Sequence, residues 1–354
     1  MSDCILGYTR TGTGLRSALA SLFLVAATTA NANETFIDDA INELGFEAAH
    51  KVDIESGKII SVGLPHIERQ PTELTVGAVM MLVRRPLAEV SDVFLREDTF
   101  RVNTKILDFS AIGDGSASRE ELNAVFARIG YTEAESGEAS KLLKAKPGRH
   151  FNLSQQEIDK FRSLQSIEDR TRKEESSALA DMLQKRYLDY LGGGLAAVEP
   201  YERKLGKYAS PGHELTTALG SLKLVMKHFP TFYESMSGFP AQPPADTESR
   251  LYWIKRLVDD RPAFVLSHRM VERRADYSVA MDLQYYAQHS YNSMLTLVAC
   301  VPYGQGTLVA SGVRVFTDRV TGFASGTKKK VGRKHVAEAT AEYFRGLRQV
   351  LEGK

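Results

Sequence analysis

Apolar positions change their spacing three times along this 354-residue chain. Leu74–Val83 is nearly unbroken in apolar side chains, which predicts a buried strand. Pro86 suits the first position of a helix over Leu87, Val90, Val93 and Phe94, because its fixed φ is already helical. Val102–Phe109 reads as a second strand. Ahead of them, Phe36, Ala40, Ile41 and Leu44 predict a short helix that Gly45 stops.

From Gly115 to about Pro230 the period is helical. Leu122, Val125, Phe126 and Ile129 follow the i, i+3, i+4, i+7 rule. Ser118 with Glu121, and Ser154 with Glu157, form capping boxes, in which hydroxyl and carboxylate each satisfy an orphan backbone N–H. A longer stripe runs from Leu179 through Met182, Leu183, Tyr187 and Tyr190 to Leu191, stopped by Gly192–Gly194. Another passes through Leu215, Leu219, Leu222 and Met226 and ends at Pro230.

After a Pro-rich loop, Phe239–Pro244, the period becomes two. Strands are expected over Leu251–Leu257, Ala263–Val271, Tyr277–Gln288, Tyr291–Val301 and Thr307–Phe316, with Tyr303–Gly306 as a hairpin turn. The chain closes on a helix with Val336, Thr340, Tyr343, Phe344, Leu347 and Leu351 on one face.

The N-terminus reads as an address. Arg10 and Arg16 precede an apolar run, Ser17–Ala27, and Ala30-Asn31-Ala32 is a small-x-small cleavage site. Residues 1–32 are therefore expected to be a signal peptide and the mature protein periplasmic or secreted. The run is shorter than the about 20 apolar residues a membrane span needs, so a soluble product is expected. Cleavage would remove Cys4 and leave Cys300 alone, without a disulfide.

Composition narrows the function classes. Hydrophobic residues are 43% and charged residues 25%, values of an ordinary globular chain. A net charge of +1 argues against a protein that coats nucleic acid.

The order of elements is strand, helix, strand, helical block, antiparallel strands and a final long helix. It resembles the START-like, helix-grip lipid-binding superfamily over about residues 73–352. That resemblance implies an α+β fold in which a curved antiparallel sheet grips the C-terminal helix around a cavity, with a helical insertion at about 115–235. Residues 33–72 would then be an N-terminal segment before a domain spanning 73–354. Leu251–Lys255, which contains Trp253, together with Tyr286–Tyr291 and Arg314–Asp318, is similar to stretches in a group of uncharacterised bacterial secreted proteins. That group has an aromatic directly after the histidine, where this chain has Ser290 between His289 and Tyr291.

Enzyme motifs are few. Asp114–Glu121 resembles half of an EF-hand loop, but Ile112 falls where a calcium ligand is needed. His213-Glu214 starts like a zincin motif, but Thr217 stands where the second histidine belongs. No metal and no cofactor is expected. Cys300 sits in an apolar strand and reads as an inert buried thiol.

The candidate binding residues are polar groups on strands. Alternation puts His268 on one face with Phe264, Leu266 and Met270. Tyr285, His289 and Tyr291 share a face if their segment runs unbroken, and Arg314 and Asp318 can form an ion pair. With Trp253, these groups are expected to line the cavity, as polar groups in a mostly apolar ligand site. The basic run Lys328, Lys329, Lys330, Arg333 and Lys334 is expected in a loop before the last helix, where it can meet anionic lipid headgroups. The function expected is an exported soluble carrier of an apolar ligand, a lipid, held in the cavity between sheet and helix. The alternatives are an enzyme using a histidine and a tyrosine in the same cavity, or an envelope scaffold.

Overall fold

The computed structural model describes residues 35–63, 68–95, 103–113 and 115–353. The expected signal peptide, and Asp114 of the half EF-hand, lie outside the described residues.

Helix α1 spans 35–43, followed by α2 (Ala48–Glu55), β1 (Ile60–Gly63), β2 (Glu73–Val83), α3 (Leu87–Leu95) and β3 (Ile106–Gly113). The helical block holds α4 (Arg119–Phe126), α5 (Ser136–Leu143), α6 (Gln155–Gln165) and α7 (Arg172–Gly193). The short pair β4 (Tyr201–Glu202) and β5 (Tyr208–Ala209) comes next, then α8 (Pro211–Leu219), α9 (Lys223–His228) and α10 (Pro230–Ser237). Strands β6 (Thr247–Val258), β7 (Arg261–Arg273), β8 (Ser278–Ala287), β9 (Ser293–Tyr303) and β10 (Gly306–Phe316) follow, and α11 (Ser325–Glu352) closes the chain.

The large sheet has eight strands in the order β1-β2-β10-β9-β8-β7-β6-β3. Every ladder in it is antiparallel. β6 to β10 form a meander, and the earlier strands bracket it, β2 beside β10 and β3 beside β6. The α+β class and the C-terminal helix on the sheet are as the sequence predicts. The capping boxes at Ser118 and Ser154 form, and Tyr303 pairs with Gly306 across a tight turn.

Both faces of the sheet are covered. Phe344 and Leu347 of α11 are buried against Val79, Met81 and Val309, with Val90 of α3 and the Cys300 thiol in the same cluster. On the other face Phe264, Leu266, Met270 and Tyr285 pack on Leu179, Leu183 and Tyr187 of α7.

Some local expectations need correction. Pro230 does not only end a helix; it is the first residue of α10, where its missing N–H costs nothing. The basic run is not a loop: Lys328 to Lys334 lie in the first turns of α11. Its charged spacing hid a helix whose apolar contacts come later, at Phe344 and Leu347.

Candidate functional site

A cavity of about 550 Å³ lies between the sheet and the helices on the face away from α11. The resemblance implied a cavity under the C-terminal helix; here that helix packs on the opposite face, and the space is left by α1 and α9 instead. Phe36 and Val225, with Leu44 and Phe229 just past the ends of α1 and α9, form the wall opposite the sheet, and Leu295, Leu297 and Ala310 form the sheet wall.

Backbone geometry opens part of this space. β2 bulges so that Gly77 and Ala78 stand opposite the single residue Gly312 of β10. Gly312 lines the cavity, and a Cβ placed on it would meet no atom within 4 Å. A glycine within a strand forgoes packing, and here the side chain it lacks is space in the cavity.

Arg314, two residues further on, faces the same way and also lines the cavity. It is only 5% exposed. Its Nη1 donates to Ser221 Oγ at 2.5 Å and lies 3.4 Å from Glu73 Oε1 and from the Ala218 carbonyl. The expected Arg314–Asp318 pair does not form. Asp318 lies beyond the end of β10 and accepts from Arg203 Nε at 2.6 Å, while Glu73, diagonal to Arg314 on β2, takes its place.

His268, Tyr285 and Trp253 share the sheet face with the cavity but do not line it. They are buried under the helical block. Tyr190 OH and Ser249 Oγ each lie 2.8 Å from a ring nitrogen of His268, so the imidazole has a partner on both sides. Tyr190 also stacks on Tyr285. Burial pushes the His268 pKa down to about 3 and pushes the Tyr190 phenol up. A general base works best with a pKa near the working pH, so this Ser–His–Tyr chain has the contacts of a catalytic relay but not its proton affinity. It is suited to pinning α7 to β6 and β7. Trp253 donates its indole N–H to the Val125 carbonyl at 3.2 Å and carries the Arg128 guanidinium over its ring.

The segment holding His289 and Tyr291 does not run unbroken. β8 ends at Ala287, and Ser290 has a positive φ of 74°. Tyr291 therefore turns away from Tyr285, donates to Gln284 Oε1 and packs beside Ile254 and Val265. His289 contacts Ser290 Oγ and the Pro262 carbonyl in a separate polar corner with Arg203 and Asp318. Burial first, then the charge of Arg261, lower its pKa to about 4. The six candidates thus fall in several places, and Arg314 alone among them reaches the cavity.

One titratable group was missed. Glu214, at the start of α8, is buried and accepts from Asn292 Nδ2, Ser293 Oγ and Thr72 Oγ1 at 2.9, 2.8 and 3.3 Å. Burial raises its pKa to about 7 despite these bonds. Its neighbour His213 drew attention only as half a metal motif, and no local pattern announces a carboxylate that tertiary packing buries.

On α11, Lys329 and Arg333 are engaged with Glu68 at 2.9 and 2.6 Å, which leaves Lys328, Lys330 and Lys334 exposed. Among the described residues no helix is long and apolar enough to cross a membrane, and no cluster of His, Cys, Asp and Glu has the arrangement of a metal site. No protein-family model matches the chain, and no curated protein matches it in sequence.

Proposed function

We propose that this protein is an exported carrier that holds an apolar small molecule, a lipid or lipid-like compound, in the cavity between the sheet and helices α1 and α9. The observation that carries this is the cavity itself. Its volume, about 550 Å³, falls inside the range of about 300–1,000 Å³ typical of small-ligand sites, and its walls are mostly apolar with polar and charged groups among them. The signal-peptide pattern of residues 1–32 supports export to the periplasm or beyond.

The sheet-and-helix frame supports likeness to the helix-grip architecture, with the ligand on the face away from the terminal helix. The exposed cations Lys328, Lys330 and Lys334 suit contact with an anionic membrane during loading. The enzyme alternative is weaker, because His268 and His289 are held well below neutral pH by burial and neither lines the cavity.

Native mass spectrometry of the protein purified from its own cells tests the proposal. A stoichiometric adduct that organic extraction releases as an apolar compound is the expected result. A bare protein mass, with no uptake of added lipid by the folded chain, would contradict it.

A further inference from the structure

We propose that the ligand is a single-chain amphiphile with a carboxylate head, and that Arg314, with Arg69 and Lys223 at the mouth, receives that head. The assignment rests on the cavity being a ligand site, and it adds the chemistry of the group bound.

Arg314 is a buried cation only partly satisfied by the protein. Its polar contacts all use Nη1. Among the described residues, Nε and Nη2 have no hydrogen-bond partner. Those two nitrogens form one edge of the planar guanidinium, the edge that takes a carboxylate with two parallel bonds. The contact to Glu73 is long, at 3.4 Å, and Glu73 is also occupied elsewhere. One of its oxygens accepts from the Arg69 and Gln70 backbone N–H groups, and the other accepts from Thr75 Oγ1. Burial lowers the pKa of Arg314 from its usual value, Glu73 pushes it back up, and Arg69 lowers it again. A buried charge left short of partners is costly, and an incoming anion relieves that cost.

The rest of the cavity agrees. Arg69 and Lys223 line it and are exposed, and neither side chain has an ion-pair partner among the described residues. Glu43 is the acidic side chain of the lining, so cations prevail around the opening. The helical side of the lining supplies Phe36, Leu44, Val225 and Phe229, which offer a chain apolar contacts. A positively charged end and an apolar body match a fatty-acid-like molecule. A neutral lipid would leave the guanidinium edge unpaired.

The test is calorimetric titration of the whole protein with dodecanoate and with dodecanol, which differ only in the head. It is done at pH 8 on lipid-stripped wild type, on Arg314→Gln and on the surface double variant Arg69→Gln/Lys223→Gln. Wild type should bind dodecanoate at least about tenfold more tightly than dodecanol, the equivalent of one charge-assisted hydrogen bond. The double variant should lose part of that preference and Arg314→Gln all of it, with dodecanol affinity unchanged in both. The double variant alters exposed side chains only, so it remains informative if Arg314→Gln fails to fold. Equal affinities for the two ligands in wild type would overturn the headgroup assignment and leave the carrier proposal standing. A preference untouched in the double variant would overturn the role of Arg69 and Lys223, and one untouched in Arg314→Gln that of Arg314. Failure of wild type to bind either molecule would overturn the carrier proposal itself.

Discussion

Tyr190 of α7 lies face to face with Tyr285 of β8, ring centroids 3.9 Å apart and planes 11° from parallel. The contact depends on a β-bulge. Between Leu266 and Ser267 of β7 the partner strand advances from Tyr286 to Gln284, so Tyr285 is the extra residue. As a result Tyr285 and Tyr286, consecutive in sequence, both enter the core under the helical block. Tyr285 stacks on Tyr190, while Tyr286 sits 4.6 Å below the Arg186 guanidinium.

The Tyr285 hydroxyl has no hydrogen-bond partner among the described residues. The ring contributes and the oxygen costs, so the two truncations should differ in sign. Tyr285→Phe should be neutral or stabilising by about 1 kcal/mol, because an unsatisfied buried hydroxyl is removed. Tyr285→Ala should cost about 3–5 kcal/mol as an aromatic core deletion. Chemical denaturation of the two variants checks this. A Phe variant as damaged as the Ala variant would show that the hydroxyl is bonded after all.

His268 predicts an acid-side instability. Its folded pKa, about 3, lies below the ordinary value of 6.5. The unfolded chain therefore binds the proton first as pH falls. The stability tied to a neutral His268 is complete above about pH 6.5 and is lost as pH drops toward 3. His268→Phe should be less stable at pH 7, since Tyr190 and Ser249 lose their partner. The gap to wild type should then shrink between pH 6 and 4. Thermal melts across that range would refute the buried neutral imidazole if the gap stayed constant.

Glu214 predicts the opposite slope. Its folded pKa, about 7, lies above the ordinary carboxylate value of 4.5, so the folded state holds the proton more tightly. That stabilisation is complete below about pH 4.5 and is lost as pH rises through 7. Over this window it amounts to roughly 3 kcal/mol, at about 1.4 kcal/mol per pKa unit. Glu214→Gln can still accept from Asn292 and Thr72 and donate to Ser293, so the fold should survive. Relative to wild type it should gain stability steadily between pH 5 and 8. An unchanged difference across that range would place the Glu214 carboxyl in a solvated setting.

Much of the frame was legible because it is written in local periodicity. The capping boxes at Ser118 and Ser154 satisfy backbone N–H groups within a turn, and alternation at Phe264, Leu266, His268 and Met270 needs no knowledge of distant chain. What alternation cannot register is a bulge. It separated Tyr285 from Tyr286, although both face the helical block, and it joined Tyr285 to Tyr291 across the turn at Ser290. The partner of Arg314 was assigned by nearness in sequence, to Asp318. The actual partner, Glu73, arrives because β2 pairs with β10, a contact between residues 241 positions apart. Glu214 lacked any signal because its raised pKa comes from a burial that only the tertiary packing creates. The cavity was expected under the C-terminal helix, and nothing in the helical stripe of Leu215 to Met226 announces that its second half, α9, stands off the sheet.

Gly312 offers the most direct test of the carrier proposal, because it lines the cavity and a Cβ placed on it meets no protein atom within 4 Å. The measurement is fluorescence titration of N-phenyl-1-naphthylamine, a neutral apolar dye, into lipid-stripped wild type and Gly312→Phe. Wild type should bind the dye saturably at one site, and the variant should melt at an equal or higher temperature and bind it at least about tenfold more weakly, as for a site whose volume has been filled. Equal binding by both proteins, or no saturable binding by wild type, would contradict the proposal that this cavity carries an apolar ligand.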